Sequence, residues 1–170
     1  EVLDLAGKRT LSVYGHPAIF AGRKKKNAAG ELIETGIPFE RTELENLGAQ
    51  FHLDSASVSL SDRVALTGKI ERKFKETSTK SHFIPQDGEL VEDPFEDDQA
   101  LFVKTKQGLV VIFGCAHAGV INTLDHIARI TGEKYFYALY GGTHLLKADR
   151  EQLAATLKEV EKRRVQFISF

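Results

Sequence analysis

The stretch GLVVIFGCAHAG, residues 108–119, places an apolar run directly before a glycine, the only cysteine of the chain and a histidine. A short apolar run bounded by glycines is typical of a buried strand, here Leu109–Phe113. Side chains that follow such a strand stand at its carboxyl end. The stretch therefore predicts that Cys115 and His117 lie in a loop at one edge of a sheet.

The residues after this loop predict alternating helices and strands, and hence an α/β fold with a parallel sheet. Asp149, followed by Gln152, has the spacing of a helix N-cap with a reciprocal partner. The basic run Lys162–Arg164 is typical of a solvated helix C-terminus. The predicted elements are a helix over Gly119–Ile130 closed by Gly132, a strand over Tyr135–Tyr140 followed by the break Gly141–Gly142, a helix with Leu153, Leu157 and Val160 on one face, and a strand over Val165–Phe170.

The upstream half is less regular. Ala100–Lys104 and Leu109–Phe113 are expected to pair as a hairpin that leads into the βαβαβ pattern of residues 97–170. Residues 21–92 are interpreted as a small α+β insertion in a single domain over 1–170. Its predicted elements are a solvated loop over Gly22–Asn27, a helix over Thr42–Leu47, and strands over Val58–Leu60 and Val64–Ile70.

Composition excludes several classes of protein. A net charge of −1 with 28% charged residues gives no basic surface for nucleic acid. The sequence has no apolar run long enough for a membrane span and no signal peptide, so we expect a soluble, cytoplasmic protein. A single cysteine forms no internal disulfide. Methionine is absent, and Phe170 falls inside a predicted strand, so we expect a fragment that lacks both ends.

Two histidines follow neighbouring predicted strands. In open α/β sheets, ligands bind outside the carboxyl ends of the strands, where His117 and His144 are both expected. Imidazole is the commonest transition-metal ligand, and loops that converge at one edge can leave a coordination position for water. The pair predicts part of a metal site. The alternative is that each histidine is an ordinary polar residue, one at a helix start and one in a loop.

Four further residues are candidates for substrate binding or for supporting the site. Cys115 is either a small buried residue or a thiol of lowered pKa that acts as a nucleophile or soft ligand, with His117 as its partner. Asp98 is either part of a solvated acidic turn or a carboxylate that reaches the site. Asn122 binds substrate, anchors the His117 loop or is solvated, and His16 could line the pocket. The remaining histidines are His126, expected on a helix surface, and His52 and His82, which have no evident partner in the sequence.

Three segments together resemble the metallo-β-lactamase superfamily. They are Asp97-Asp-Gln-Ala-Leu101, the run from Gly108 through Gly-Cys-Ala-His-Ala-Gly to Leu124, and Tyr140-Gly-Gly-Thr-His-Leu145. Within the superfamily, the chain is most similar to the dihydropteroate-synthase-like or ribofuranosylaminobenzene 5′-phosphate-linked pterin synthase-like branch. The resemblance also takes in Tyr14–Pro17 and Leu66–Ile70.

The resemblance implies an αββα sandwich, here incomplete, whose mixed sheets are flanked by helices and carry metal ions at one edge. His117 and His144 match histidines of the family pattern and are the implied metal ligands. Zinc is the first expectation, with iron or manganese as alternatives. The main ligand motif, His-x-His-x-Asp-His, and a late His-Cys-Thr-Gly segment are absent from the sequence, and truncation at both ends would explain both losses.

The implied activity is metal-dependent hydrolysis, in which a metal-activated water attacks a phosphoester, a cyclic bond or a pterin-related small molecule. The chain alone is expected to be inactive, because two ligands rarely retain a catalytic metal, and to be marginally stable. One alternative is a metal-free binding or regulatory domain of the same fold. Another is a cysteine-dependent enzyme that uses Cys115 and His117. Neither nucleic acid nor a membrane is an expected partner, and the oligomeric state is open.

Overall fold

The computed structural model describes residues 10–76 and 81–170, and these group into two compact units. The described part of the first unit covers 10–55 and 81–97, and that of the second covers 56–76 and 98–170. Residues 1–9 and 77–80 belong to the predicted domain and its insertion but lie outside the described ranges. The single domain with an insertion over 21–92 stays a prediction.

The described residues form strands, short and long helices, and two 3₁₀ turns, Pro17–Phe20 and Leu145–Lys147. The strands are β1 (Leu11–Gly15), β2 (Lys24–Lys26), β3 (Leu32–Glu34), β4 (Ala49–Leu53), β5 (Val58–Ser59), β6 (Val64–Leu66), β7 (His82–Gln86), β8 (Glu89–Glu92), β9 (Ala100–Thr105), β10 (Gly108–Phe113), β11 (Phe136–Gly141) and β12 (Phe167–Ser169). The helices are α1 (Arg41–Asn46), α2 (Val120–Thr131) and α3 (Arg150–Lys162). None of the helices in the described ranges is long and apolar enough to cross a membrane.

The first unit contains two small sheets. Strands β1 and β4 pair in parallel, and β3, β2, β7 and β8 form an antiparallel sheet in that order. The prediction of a solvated loop over Gly22–Asn27 is wrong, because Lys24–Lys26 is hydrogen-bonded on both sides as β2. The neighbouring Arg23 donates hydrogen bonds to Asp93 and Asp97, which neutralise its half-buried charge.

The second unit is built on a six-stranded sheet in the order β12-β11-β10-β9-β6-β5. Strands β9 and β10 form the predicted antiparallel hairpin, and β10, β11 and β12 are parallel as the βαβαβ pattern requires. The predicted strand over Val64–Ile70 is too long. It ends at Leu66, and the next residue, Thr67, donates its N–H to the carbonyl of Ala100 at 2.9 Å while its hydroxyl accepts from the N–H of Ala100 at 3.0 Å.

The core of the second unit lies between the sheet and α2. Leu109, Val111 and Phe113 alternate along β10 and are buried on one face of the sheet. Leu124 and Ile127 of α2 are fully buried in the same cluster. Helix α2 ends at Gly132, whose left-handed conformation is typical of a helix C-terminus. The apolar residues spaced along β10 and along α2 thus pack in one core.

Helix α3 begins where the sequence predicts. The Asp149 carboxylate accepts a hydrogen bond from the backbone N–H of Gln152 at 2.8 Å, so the predicted N-cap is confirmed. Of its predicted apolar face only Val160 is buried, and Leu153 and Leu157 are exposed. The solvated interpretation is wrong for Arg163, whose side chain is 8% exposed and ion-paired with Glu159 at 2.6 Å.

Candidate functional site

The loops after β10 and β11 meet backbone to backbone through glycines. The N–H of Gly142 donates to the carbonyl of Gly114 at 3.0 Å, and a side chain at Gly142 would place its Cβ 2.7 Å from that oxygen. At Gly141 a Cβ would lie 2.2 Å from the Phe113 carbonyl oxygen, and the backbone has a φ of +105°. Only glycine permits this approach. The glycines therefore bring the two loops together.

His117 and His144 are side by side on these loops. Their ring centroids are 4.4 Å apart and the ring planes are tilted by 47°. His117 is half-buried and His144 is exposed, so the pair opens to solvent on the His144 side. His144 has a φ of 51° and Ala116, next to His117, has a φ of 54°, both uncommon for residues other than glycine. Such backbone conformations in both loops are typical of functional sites.

The backbone directly after His117 is held by two of the predicted candidates. Asp98 accepts a hydrogen bond from the N–H of Ala118 at 2.7 Å, so this carboxylate reaches the His117 loop. Asn122 donates from Nδ2 to the carbonyl of Ala118 at 2.9 Å. Asp98 and Asn122 thus bind the N–H and the carbonyl of Ala118, and these bonds fix the backbone next to His117.

Asn122 is 1% exposed, so the interpretation of a solvated helix-start residue is wrong. Its Oδ1 accepts from the backbone N–H groups of Lys73 and Phe74, at 2.8 Å each, and its Nδ2 also donates to the carbonyl of Phe74 at 2.9 Å. These bonds occupy the amide. The structure therefore supports the anchoring interpretation of Asn122 rather than substrate binding.

Sequence reasoning missed Glu76. Its carboxylate accepts hydrogen bonds from the backbone N–H groups of Ile121 and Asn122, at 3.2 and 2.8 Å, at the first turn of α2. Burial raises the pKa of Glu76, and the bonds from these N–H groups oppose the rise. The residue sits in the charged run Glu71–Glu76, which is typical of a solvated segment, so no signal in the sequence marks it.

Two other candidates, Cys115 and His16, and the helix residue His126 have different outcomes. Cys115 is exposed, so its interpretation as a small buried residue is wrong. His16 lies in the first unit, where it is 6% exposed and its Nδ1 accepts from the N–H of Ala18 at 3.1 Å, which caps the turn Pro17–Phe20. His126 is half-buried rather than on the surface. Its Nε2 is 3.3 Å from the Thr67 carbonyl oxygen, and burial lowers its pKa.

The paired imidazoles fit a metal ion as part of a ligand set. Catalytic zinc sites use about three protein ligands and a water. Across residues 10–76 and 81–170, no group of three or more His, Cys, Asp or Glu side chains could hold a metal ion. The described residues therefore supply two suitable nitrogen donors, and a complete site requires further ligands.

A comparison with solved structures shows which class of fold this is. A crystal structure of a metal-dependent hydrolase of the β-lactamase superfamily superposes with a TM-score of 0.79 and 26% sequence identity. The match covers 94% of this chain and 59% of that one. The mixed α/β class predicted from the sequence is confirmed, and the fold is that of the metallo-β-lactamases.

A curated relative is the 7,8-dihydropterin-6-methyl-4-(β-D-ribofuranosyl)-aminobenzene-5′-phosphate synthase of Methanocaldococcus jannaschii. It is 29% identical over 91% of this chain and 54% of its own length. The chain thus spans little more than half of either protein. No family model matches the sequence. The similar proteins are a hydrolase and a synthase, both enzymes.

Proposed function

We propose that this chain is part of a metal-dependent hydrolase of the metallo-β-lactamase superfamily, with His117 and His144 as two of its metal ligands. The observation that carries the proposal is the contact of the two imidazoles, 4.4 Å apart, at the carboxyl edge of a parallel sheet. The similarity to a metal-dependent hydrolase supports it. We propose zinc as the metal, with iron and manganese as alternatives, and further ligands from sequence beyond these 170 residues.

His117 and His144 would hold a divalent ion as part of its ligand set, and the ion would supply a water of lowered pKa as the nucleophile. The chain's own residues orient the ligands. Asp98 and Asn122 fix the backbone after His117, and Gly141 and Gly142 keep side-chain bulk out of the space between the two loops. The half-buried position of His117 partly excludes water from its ring, which strengthens its interactions with charge.

The proposed substrate is a small molecule with a phosphoester or cyclic bond. The relative is named for a product that joins a dihydropterin to a ribosyl aminobenzene phosphate. A pterin-related or ribose-phosphate compound is therefore the first substrate class to test.

The second candidate function is a metal-free binding domain of the same fold. The observation that favours it is that the described residues supply only a pair of clustered donors. The two functions differ in whether metal restores an activity, and that difference defines the test.

The test measures hydrolysis of bis(4-nitrophenyl) phosphate and 4-nitrophenyl phosphate after chelation and after addition of Zn²⁺, Mn²⁺ or Fe²⁺. The 170-residue chain and the same chain within its full reading frame are compared. We expect metal-restored hydrolysis in the longer protein, reduced to the metal-depleted level by His117→Ala and by His144→Ala.

His52→Ala is the matched control, because His52 is exposed and stacks on Tyr14 in the first unit with ring centroids 4.7 Å apart. This variant should keep wild-type activity. Activity that survives chelation, or equal losses in all three histidine variants, would contradict the proposed function.

A further inference from the structure

Residues 71–76, which we call the strap, lie along the start of α2 without forming a helix or strand. The side chains of 71–75 are exposed, including Phe74 at 46%. Apolar burial therefore contributes little to holding the strap in place. Segments held mainly by polar contacts at the surface open more readily than the core does.

Most of the hydrogen bonds between the strap and the helix run through Asn122 and Glu76, and at the other end of the strap Glu71 pairs with Arg129 at 2.8 Å and donates its backbone N–H to Nδ1 of His126 at 3.4 Å. Asn122 binds the backbone of Lys73 and Phe74 through three hydrogen bonds of 2.8–2.9 Å. Glu76 reaches the first turn of α2, where both of its oxygens accept backbone N–H groups. A carboxylate at this place also interacts favourably with the helix dipole.

The helix start is shaped for this carboxylate. Gly119 has a φ of +100°, and a Cβ there would lie 2.1 Å from Oε2 of Glu76. Glycine at this position thus leaves the space that the carboxylate fills. The side-chain amide of Asn122, which binds the strap, also donates to the carbonyl of Ala118, directly after His117.

We propose that Glu76 is a positioning residue: it seats the strap on α2, and through Asn122 the seated strap holds the backbone that carries His117. The functional importance of this coupling rests on the proposed role of His117 as a metal ligand. The coupling itself is a property of the chain without metal. It connects His117 to a residue 41 positions earlier in the sequence.

The strap should respond to pH in a defined direction. Burial raises the pKa of Glu76, so the seated strap binds a proton more readily than a released strap does. The strap is therefore seated most favourably at pH values below the ordinary pKa of a glutamate. Seating weakens as the pH rises through the raised pKa of Glu76. Among the residues that the structure describes, the charged groups near Glu76 are Arg72 and Lys75 on the strap, and Asp149 and Glu151 at the start of α3.

Amide hydrogen exchange measured by NMR on the metal-free 170-residue chain tests the proposal. In Glu76→Ala, both N–H groups of the helix start lose their side-chain acceptor. We expect the amides of Lys73, Phe74 and Asn122 to exchange about tenfold faster or more, since two hydrogen bonds at the helix start are lost together. The amide of Ala118 should accelerate with them.

Glu71→Gln is the matched control, because Glu71 lies on the same strap, is exposed and pairs with Arg129 at 2.8 Å. It should change these rates by less than about twofold, as expected for a surface ion pair. Glu76→Gln should remove the pH dependence of the corrected exchange rates. The proposal is overturned if Ala118 is unaffected in Glu76→Ala while the strap amides accelerate, or if Glu76→Gln keeps the wild-type pH profile.

The two proposals can fail separately. If the longer protein neither binds metal nor shows metal-dependent hydrolysis, the proposed function is wrong, but the exchange result still stands. An unchanged Ala118 amide in Glu76→Ala would remove the strap's positioning role even if the protein binds metal at His117.

Discussion

Replacing Asn122 with alanine should destabilise the chain more than its position at a helix start suggests. The amide makes four hydrogen bonds, to the backbone of Lys73, Phe74 and Ala118. At about 1 kcal/mol net for each bond, their sum is about 4 kcal/mol. This value is an upper limit, because the strap backbone becomes accessible to water once it is released.

The carbonyl of Ala118 has less access to water, because Ala118 is 3% exposed. Leaving that acceptor unsatisfied costs about 1–3 kcal/mol. We therefore expect Asn122→Ala to lower the free energy of unfolding by about 2–4 kcal/mol, read from the urea midpoint at unchanged slope.

Asn46→Ala is the control for this measurement, since Asn46 is an exposed residue at the end of α1. It should change the free energy of unfolding by about 0.5 kcal/mol or less. A loss below about 1 kcal/mol for Asn122→Ala would refute the reasoning, because the four bonds would then contribute no more than a surface contact.

Three other predictions concern the site and the core. Asp98→Ala should weaken zinc binding by the longer protein about tenfold, measured by titration calorimetry. Asp98→Asn, which keeps an acceptor for the Ala118 N–H, should bind zinc nearly as tightly as the wild type. Equal affinities of the wild type and both variants would contradict the role of Asp98 in holding the His117 loop. Burial lowers the pKa of His126, so His126 binds a proton more readily in the unfolded chain than in the folded one. The stability that neutral His126 contributes should therefore be lost as the pH falls through the lowered pKa. His126→Gln should flatten the dependence of the free energy of unfolding, measured with urea, on pH in this range, and an unchanged pH dependence would refute the prediction. Leu124→Ala, at a fully buried core position, should lower the free energy of unfolding by about 3 kcal/mol. Leu157 is 62% exposed, so Leu157→Ala should lower the free energy of unfolding by less than about 1 kcal/mol. Similar losses in the two variants would argue against the described core.

The parallel part of the second unit follows from short-range signals in the sequence. The apolar run of β10, the helical spacing of Val120, Leu124 and Ile127, and the glycine at the end of α2 each specify a local conformation. The right-handed crossover rule then places the ends of β10 and β11 at one edge. The sequence therefore predicts that their loops, and so His117 and His144, meet.

Other features depend on partners distant in the sequence, and local patterns do not reveal them. The charged segment Gly22–Asn27 resembles a loop until β7 supplies hydrogen bonds from some 60 residues later. Val64–Ile70 has the apolar alternation of a strand, yet the strand ends at Leu66, where the Thr67 hydroxyl accepts a hydrogen bond from the N–H of Ala100. Glu76 resembles a solvated charge because its acceptor role depends on a helix start more than 40 residues away. Tertiary hydrogen bonding overrides local propensity at each of these places.

Metal content tests the central claim most directly. Elemental mass spectrometry would be run on the 170-residue chain and on the chain within its full reading frame, each as wild type, His117→Ala and His52→Ala. The account predicts stoichiometric metal in the longer wild-type protein and its His52→Ala variant, a marked loss with His117→Ala, and little metal in the short chain. Absence of metal from the longer protein, or binding that His117→Ala leaves unchanged, would contradict the assignment of this edge of the sheet as a metal site.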